Sequence, residues 1–136
     1  MITISAGLVL ISDNKILLCH PTGQKWWGTY SIPKGHVEEE EEILDAAIRE
    51  TCEEVGILID IKKNRIFDEG YIDYKNDNGE VYKRVYFFVI KLIEPIEIDL
   101  DKLDKKEVDW AGFKTKKEAE KRIFWRFKSL LEYLNE

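Results

Sequence analysis

The chain has few cysteines, no long apolar run and no concentrated positive charge. Only two cysteines, Cys19 and Cys52, occur among its 136 residues. Two cysteines do not make the disulfide framework of a small secreted domain, so we expect a reducing cytoplasmic location. No apolar stretch approaches the roughly 18 residues that span a membrane, and no basic segment followed by a long apolar run marks a secretion signal. We therefore expect no membrane partner.

Acidic residues outnumber basic residues in the chain. The sequence has 21 Lys and Arg against 27 Asp and Glu, a net charge of -6, and no basic run dominates any segment. Because phosphate backbones recruit basic surfaces, this balance argues against nucleic acid as the main partner. A small anionic substrate stays compatible with it, since a bound metal supplies local positive charge. The length and the 44% hydrophobic content predict one globular domain over residues 1–136.

Acidic residues, by contrast, cluster at helical spacing. Glu50, Glu53 and Glu54 stand at i, i+3 and i+4, which places three carboxylates on one face of a helix. Like charges packed in this way repel each other, so a positive group is expected among them. Carboxylate oxygens suit hard divalent cations such as Mg2+, which proteins usually share with a phosphate. The pattern predicts a metal-assisted enzyme that acts on a phosphate compound.

The segment around these glutamates is predicted to be an amphipathic helix. A mostly apolar stripe recurs at helical spacing and indicates a side that faces the core: Leu44, Ala47, Ile48, Thr51 and Val55. Gly56 ends the pattern, as a left-handed C-terminal cap often does. Pro33 and Gly35 place the preceding residues in a loop.

Residues 35–57 read GHVEEEEEILDAAIRETCEEVGI, and this segment resembles the Nudix box. The matching positions are Gly35, Glu41, Arg49, Glu50, Glu53, Glu54, Gly56 and the aliphatic Ile57. Within the glutamate run at 38–42, the spacing from Gly35 and to Arg49 selects Glu41. Thr51 departs from the family pattern, which usually has a bulky aliphatic residue there, although a threonine methyl can still pack inward.

The resemblance implies a pyrophosphohydrolase of nucleoside diphosphates linked to another group, with Mg2+ or Mn2+ as cofactor. It implies that Glu50 and Glu54 are the primary metal ligands and that Gly35 adds its carbonyl. Glu53 is a ligand or the base that prepares water. The same resemblance implies a small-molecule nucleotide as partner and a monomer or homodimer as the assembly.

Two further residues acquire roles from the family. Arg49 resembles the residue that pairs with Glu41 and orients the catalytic carboxylates. Glu107 lies just before Trp110, in a late loop where many family members carry a glutamate that reaches the metals or acts as base. A solvated loop carboxylate is the alternative for Glu107.

Substrate residues are suggested by a narrower resemblance. Residues 33–36 read Pro-Lys-Gly-His, similar to diadenosine tetraphosphate hydrolases within the Nudix family. Lys34 and His36 are accordingly predicted to contact substrate. Tyr74 follows the box by seventeen residues, near the place where dinucleoside polyphosphate hydrolases typically use a tyrosine to hold the nucleoside or phosphate. The alternative for Tyr74 is a strand residue packed on a neighbour.

Other flanking residues are open to two interpretations. Lys83 and Arg84 are adjacent on a predicted strand, so they point to opposite faces and only one can reach the site, for which we take Lys83. Trp26 and Trp27 precede the box in a loop, where Trp27 stacks on a base or covers an edge of the core.

The remaining elements alternate along the chain. Strands are predicted over 2–11, 16–19, 65–74 and 81–93, extended chain over 58–61, and a short strand or loop over 110–113. Thr115 and Glu118 form a capping-box pattern before a short helix, and a C-terminal helix is predicted over about 122–134. Loops are expected over 20–30 and 31–35. These elements and the resemblance imply an α/β protein with the Nudix fold, an α/β/α sandwich around a mixed sheet.

Three functions fit the sequence. The first is Mg2+-dependent hydrolysis of dinucleoside polyphosphates, such as diadenosine tetraphosphate to ATP and AMP. The second keeps the chemistry and changes the substrate to a nucleoside triphosphate, a sugar nucleotide or an RNA 5' end. The third is a Nudix-fold regulator that binds a nucleotide without cleaving it, which the intact glutamate set argues against.

Overall fold

The computed structural model describes residues 1–135 and contains one mixed six-stranded sheet. The strands are β1 (Thr3–Ser12), β2 (Lys15–Pro21), β3 (Lys34–His36), β4 (Ile66–Lys75), β5 (Val81–Lys91) and β6 (Val108–Lys114). The helices are α1 (Ile43–Val55) and α2 (Lys116–Arg122), with 3-10 helices at Leu100–Lys102 and Trp125–Tyr133. The strand order is β4-β5-β1-β2-β6, with β3 paired to β1. Strands β1 and β5 run parallel, and the other pairs are antiparallel.

Alternation along β1 divides the core between the two faces of the sheet. Leu8 and Leu10 pack with the apolar side of α1, whereas Val9 and Ile11 pack with α2 and the C-terminal 3-10 helix. All four side chains are fully or almost fully buried. A strand buried on both faces reads as a continuous apolar run, as β1 does. The predicted α/β/α sandwich around a mixed sheet is confirmed.

Helix α1 follows the predicted pattern closely. Ala47, Thr51 and Val55 are buried against the sheet, and the Thr51 hydroxyl donates to the Ala47 carbonyl at 2.8 Å. This bond satisfies the only polar atom that the unusual threonine brings into the core. Gly56 adopts the left-handed conformation (φ 74°), and its N–H donates to the Cys52 carbonyl at 2.9 Å. The predicted glycine cap is therefore present.

Strand β3 lies where a loop was predicted, and it displaces part of the β1–β2 pairing. Residues Ser5, Ala6 and Gly7 of β1 pair with β3, while β1 and β2 pair only near their connecting turn. A Cβ on Gly7 would come within 2.6 Å of the Pro33 carbonyl oxygen. Glycine at this position therefore permits the close approach of the segment that precedes α1.

The segment predicted to be extended chain over 58–61 is not among the strands of the described residues. Ile57 and Ile59 are buried and Leu58 is 75% exposed. This alternation imitates a half-buried strand, but the segment forms no strand pairing in the part of the chain that the structure describes. An in-out pattern therefore arises here from a loop that rests on the core.

The prediction of a C-terminal helix over 122–134 was wrong in the start and in the type of the helix. Helix α2 begins at Lys116, directly after the predicted N-cap Thr115, contains Glu118 of the predicted capping box and ends at Arg122. Ile123 then forms a bridge to Tyr30, and a 3-10 helix follows over Trp125–Tyr133. Spacing of three residues suits a 3-10 helix, which has three residues per turn. Phe127, Leu130 and the partly buried Tyr133 keep this spacing on the core side.

Three further sequence predictions can be compared with the structure. The strands predicted over 65–74 and 81–93 are β4 and β5, which pair as an antiparallel hairpin, and the segment around 110–113 is a strand of seven residues. The predicted loop over 20–30 begins later, since His20 and Pro21 end β2. No helix within residues 1–135 combines the length and the apolar character that crossing a bilayer requires. Both cysteines are free.

Candidate active site

A cavity of about 380 Å³ opens beside the carboxylate face of α1. It lies where the beginning of β1, strand β3, helix α1, strand β5 and the loop before β6 approach each other. Its lining consists of Ser5, Lys34, Gly35, His36, Glu50, Glu53, Glu54, Lys83, Asp104 and Glu107. The fold thus brings eight of the predicted site residues to one cavity from four separate parts of the sequence.

Arg49 organises the outer carboxylates of this cavity. Its Nε and Nη2 donate to the two carboxylate oxygens of Glu41 at 2.8 and 2.9 Å. Its Nη1 donates to Glu50 at 2.9 Å and to Glu53 at 3.1 Å, and Nη2 also donates to the His36 carbonyl at 3.0 Å. A planar guanidinium suits such simultaneous contacts. Arg49 therefore connects β3, the turn before α1 and the helix itself.

Glu41 stays charged in this arrangement and holds Arg49 in place. Hydrogen bonds from Arg49, supported by the Glu38 backbone N–H at 3.0 Å, lower the pKa of Glu41 from 4.5 to about 2. The same bonds raise the pKa of Arg49, with the Glu41 contact contributing most. The Arg49–Glu41 pair that the family resemblance implied is present, and Glu41 is not among the residues that line the cavity.

Glu54 has the opposite environment. Burial, the largest cause, and then the charges of Glu50 and Glu107 raise its pKa from 4.5 to about 8. The backbone N–H of Lys34 donates to Glu54 Oε1 at 3.1 Å, and this bond and the Lys34 charge oppose the rise. Desolvation disfavours the charged form of a carboxyl group, so Glu54 is mainly protonated at neutral pH until a cation approaches.

Gly35 makes room for the carboxylate of Glu50. A Cβ built on Gly35 would overlap all three terminal atoms of the Glu50 side chain. Any other residue at this position would push Glu50 away from β3. The first glycine of the motif is therefore explained by close packing, in addition to the carbonyl ligand that the resemblance implied.

The donor set fits a hard divalent cation in its chemistry. Glu50, Glu53, Glu54, Glu107 and the carbonyl of Gly35 supply only oxygen donors. Within residues 1–135 no three His, Cys, Asp or Glu side chains converge as they stand into a group that could hold a metal. Arg49 binds the carboxylates of Glu50 and Glu53 at 2.9 and 3.1 Å.

The loop before β6 places a second pair of acidic residues at the cavity. The Asp104 N–H donates to the Glu54 carbonyl at 3.0 Å, which fixes the loop to the end of α1. The Thr22 N–H donates to the Glu107 carbonyl at 3.1 Å, which fixes it to the segment after β2. Both Asp104 and Glu107 line the cavity. Sequence analysis missed Asp104, whose only signal is its position three residues before Glu107.

A histidine, two lysines and a serine supply the remaining lining: His36, Lys34, Lys83 and Ser5. No carboxylate within residues 1–135 lies within 4.0 Å of the Lys34 or Lys83 ammonium group. Burial and the nearby charge of Lys34 lower the pKa of Lys83. Arg84 pairs with Asp73 at 2.6 Å, so only Lys83 of the two neighbours reaches the cavity, as alternation predicted. Ser5, which is almost fully buried, was also missed because no motif contains it.

Two predicted substrate residues do not line the cavity. Tyr74 lies behind Lys83, whose Nζ is 5.1 Å from the centre of its ring, and burial raises the pKa of Tyr74 to about 12. Tyr74 also packs against Tyr82 and Phe127, which corresponds to the alternative interpretation of a packed strand residue. Trp27 lines a separate groove.

His20 was predicted to be a loop residue, but it is buried within β2. Its Nδ1 contacts Asp109 at 2.5 Å, and its Nε2 contacts the Lys25 carbonyl at 2.9 Å. The Trp26 ring stacks on His20 with 3.6 Å between ring centres. His20 therefore anchors the loop after β2 and lies outside the cavity.

The family assignment follows from comparison with known proteins. A family model described as NUDIX domain matches residues 1–132. The chain belongs to the Nudix family. The chain is therefore a Nudix pyrophosphohydrolase, an enzyme that cleaves acid anhydrides in phosphorus-containing compounds. Nudix hydrolases act on small-molecule nucleotides and generally use divalent metals.

Solved structures agree with this assignment. The chain is similar to "Crystal Structure of a C. elegans Ap4A Hydrolase Binary Complex", with 26% identity and a TM-score of 0.75 over 96% of this chain and 93% of that one. It shares the fold of a MutT NUDIX hydrolase from Burkholderia pseudomallei, with 18% identity, a TM-score of 0.76 and 99% of both chains covered.

A third structure shares the fold and contains a metal ion. It is a bifunctional NMN adenylyltransferase/ADP ribose pyrophosphatase from Francisella tularensis, complexed with AMP and a Mn ion. The identity is 17% and the TM-score 0.72, over 98% of this chain and 42% of that one. A search of the curated proteins found no match.

Proposed function

We propose that the protein is a Mg2+-dependent hydrolase of dinucleoside polyphosphates, with diadenosine tetraphosphate split to ATP and AMP. The observation that carries the proposal is the composition of the cavity. Five carboxyl groups line it: Glu50, Glu53, Glu54, Asp104 and Glu107. The same cavity presents the ammonium groups of Lys34 and Lys83, which form no ion pair within residues 1–135. Carboxylates suit a divalent cation, and ammonium groups suit the phosphates that such a cation shares.

The choice of substrate rests on two observations. The relative named Ap4A hydrolase aligns with 26% identity over nearly the whole chain. In addition, Lys34 and His36 of the Pro-Lys-Gly-His segment both line the cavity. Lys83 contacts Tyr74 on its other side, so the tyrosine positions a phosphate-binding lysine. In this proposal Tyr74 acts on the substrate through Lys83.

Each residue of the cavity has a defined task in the proposed reaction. Glu50, Glu54 and the Gly35 carbonyl would hold the cation. A bound Mg2+ neutralises the diphosphate, polarises a phosphoryl oxygen and lowers the pKa of water. Glu53, whose side chain is 55% exposed, takes the proton from the attacking water, and Glu107 faces the same cavity as the alternative base. Arg49 sets the orientation of Glu50 and Glu53.

The test is turnover of a substrate panel in Mg2+ and in Mn2+, with products separated by chromatography. The panel contains diadenosine tetraphosphate, the nucleoside triphosphates, ADP-ribose and a 5'-triphosphorylated RNA. We expect preference for the dinucleotide, with ATP and AMP formed in equal amounts. Pyrophosphate released from a nucleoside triphosphate as the preferred reaction would contradict the proposed substrate, and so would symmetric cleavage to two ADP.

A matched variant separates this enzyme from a contaminant and from a non-catalytic binder. Glu53→Gln keeps the shape of the side chain and removes its charge, so turnover should fall by about 10²–10⁴-fold while the folded structure persists. Unchanged turnover in this variant would remove Glu53 from its proposed role. Tight binding of one nucleotide without turnover by the native protein would favour the regulator instead.

A further inference from the structure

A groove lined in part by the loop after β2 is basic, although the protein as a whole is acidic. It encloses about 300 Å³ and is lined by Trp27, Lys114, Lys117, Glu118, Lys121 and Arg122, which we call the tryptophan groove. It shares no residue with the carboxylate cavity. Four cations and one carboxylate line it, on a chain whose net charge is -6. Positive charge is therefore concentrated at this place.

The cations of the tryptophan groove form no close ion pair in the part of the chain that the structure describes. No carboxylate within residues 1–135 lies within 4.0 Å of Lys114, Lys117, Lys121 or Arg122. Glu118 is already committed to capping α2, because it accepts the Thr115 N–H at 2.9 Å. Lys117 and Lys121 stand four residues apart and so occupy one side of α2. The groove thus presents spaced positive charges to a ligand.

Two tryptophans near these cations, Trp26 and Trp27, have large parts of their side chains exposed to solvent. Trp27 is 59% exposed, and its ring contacts the Arg122 guanidinium at 4.0 Å from the ring centre. Trp26 is 47% exposed, and its ring stacks on His20. Each ring therefore has one supported side and leaves much of its area to solvent. Large aromatic side chains exposed together are a feature of binding surfaces.

The loop that carries the tryptophans is held firmly in place. Arg122 Nη1 donates to the Trp26 carbonyl at 2.9 Å, and the Gly28 N–H donates to the Lys121 carbonyl at 3.2 Å. The Lys25 carbonyl contacts His20 Nε2 at 2.9 Å. A ligand would therefore meet an ordered surface, and little conformational entropy would be lost on binding.

We propose that the tryptophan groove binds a single-stranded polynucleotide, with the lysines on its phosphates and Trp27 stacked on a base. Stacking on aromatic rings together with a cationic track is how proteins hold single strands without reading their sequence. An acidic peptide would satisfy the lysines, but its carboxylates would leave the flat face of Trp27 without a partner. The net negative charge of the whole chain argued against nucleic acid, but it is a sum over all residues and does not describe the charge of this groove.

The first experiment uses the full chain and a fluorescent single-stranded RNA of about twelve nucleotides with a 5'-hydroxyl. This RNA has no phosphoanhydride bond, so its binding is independent of the proposed hydrolysis. We expect anisotropy to report binding at low salt and tryptophan fluorescence to be quenched. For three phosphate contacts, the affinity should fall with a log–log salt slope of about -2. Absence of binding at low salt overturns the proposal.

Charge-reversal variants locate the binding. Lys117→Glu combined with Lys121→Glu should weaken RNA binding at least about tenfold. The control combines Lys62→Glu with Lys63→Glu, which makes the same change in net charge in an exposed segment outside the groove. Equal weakening in both double variants would mean a non-specific charge effect and would overturn the proposal. Turnover of diadenosine tetraphosphate should be unchanged in the groove variant.

Two further measurements decide what chemistry the groove recognises. Trp27→Ala should weaken binding by about 5–150-fold if a base stacks there, and circular dichroism should confirm that the variant is folded. Inorganic polyphosphate, an acidic peptide and anionic lipid vesicles serve as competitors. If any of them displaces the RNA at equal charge concentration and Trp27→Ala changes nothing, the groove recognises negative charge alone and the assignment to a polynucleotide is overturned.

Discussion

Glu41 and Glu54 belong to the same motif, yet the fold moves their pKa values in opposite directions. Glu41 accepts two hydrogen bonds from Arg49, and its pKa falls to about 2. Glu54 is buried with one backbone N–H donor, and its pKa rises to about 8. The first carboxylate is charged at every physiological pH. The second keeps its proton until a positive group replaces it.

The difference indicates a division of labour between two parts of the site. The region around Arg49 is complete in the protein alone, because every carboxylate there has a cationic partner. The region around Glu54 is incomplete, since its carboxyl group has no cationic partner within 4.0 Å among residues 1–135. A divalent cation would complete the second region, because it would supply a positive partner to Glu54.

The largest expected loss of activity comes from replacing single glutamates of the two regions by glutamine. Glu54→Gln should lower kcat/KM by about 10²–10⁴-fold, as Glu53→Gln should, because each removes a group that acts on the cation or the water. Glu41→Gln should cost only about 10–100-fold, since it acts through the orientation of Arg49. Steady-state kinetics on the best substrate gives these values, with circular dichroism as the folding control. Near-normal rates in both the Glu53 and the Glu54 variants would remove the metal-site assignment.

A smaller effect is expected when the Glu50 carboxylate is displaced by one methyl group. Gly35→Ala would place its Cβ on the Glu50 carboxylate, which can swing away because the side chain is flexible. We expect kcat/KM to fall about 10–100-fold while the melting temperature changes little. Gly70→Ala is the matched control, because its Cβ would crowd Phe87 outside the cavity. Loss of activity in the control, or full activity in Gly35→Ala, would contradict the packing argument.

Proton release on cation binding distinguishes Glu54 from the other carboxylates. At about pH 7 a group with a pKa of about 8 is mostly protonated, so binding should release nearly one proton. Release should decline toward zero above about pH 9. Isothermal titration of Mg2+ in two buffers of different ionisation enthalpy measures this number. Glu54→Gln should abolish the release, and an unchanged value in that variant would assign the proton to another group.

The smallest effects should appear in the pH dependence of stability without metal. Between about 4.5 and about 8 the unfolded chain has lost the Glu54 proton and the folded protein retains it, so stability falls as pH rises through this window. The slope is at most about 1.4 kcal/mol per pH unit. Glu41 acts oppositely, because its contribution is present above about 4.5 and is lost as pH falls toward about 2.

Urea unfolding with a chelator, repeated over a range of pH, measures the free energy of unfolding. Its decline toward alkaline pH and its decline toward acid pH are the two limbs of the profile. Glu54→Gln should flatten the decline on the alkaline side, and Glu41→Gln should flatten the decline on the acid side. Each variant is the control for the other. If one substitution alters both limbs, or if each alters the wrong limb, the opposed pKa shifts of the two glutamates are contradicted.

Much of the site could be predicted because the motif fixes residue types at fixed spacing. The i, i+3, i+4 pattern correctly placed Glu50, Glu53 and Glu54 on one face of α1. It could not give their depth, since periodicity specifies a direction around the helix and not how closely the sheet and loops cover it. Glu53 is exposed and Glu54 is enclosed by β3 and the loop before β6. The pKa contrast therefore appeared only in the structure.

Residues outside the motif were harder to predict. Ser5 and Asp104 reach the cavity through tertiary packing, which leaves no trace in local sequence. Strand β3 was taken for a loop because three residues carry too little alternation, and its pairing depends on Gly7 in another strand. Over so short a segment, the spacing of the C-terminal apolar residues fits both an α-helix and a 3-10 helix. Its 3-10 geometry was decided by packing on the sheet.

The most direct test of the account is where a divalent cation binds. Crystals of the protein grown with Mn2+ can be measured at a wavelength where manganese scatters anomalously, using a preparation whose Mn2+-dependent turnover has been confirmed. The account predicts a peak bounded by Glu54, Glu50 and the Gly35 carbonyl. An active preparation with no peak in this cavity, or with its peak elsewhere on the chain, would contradict the account.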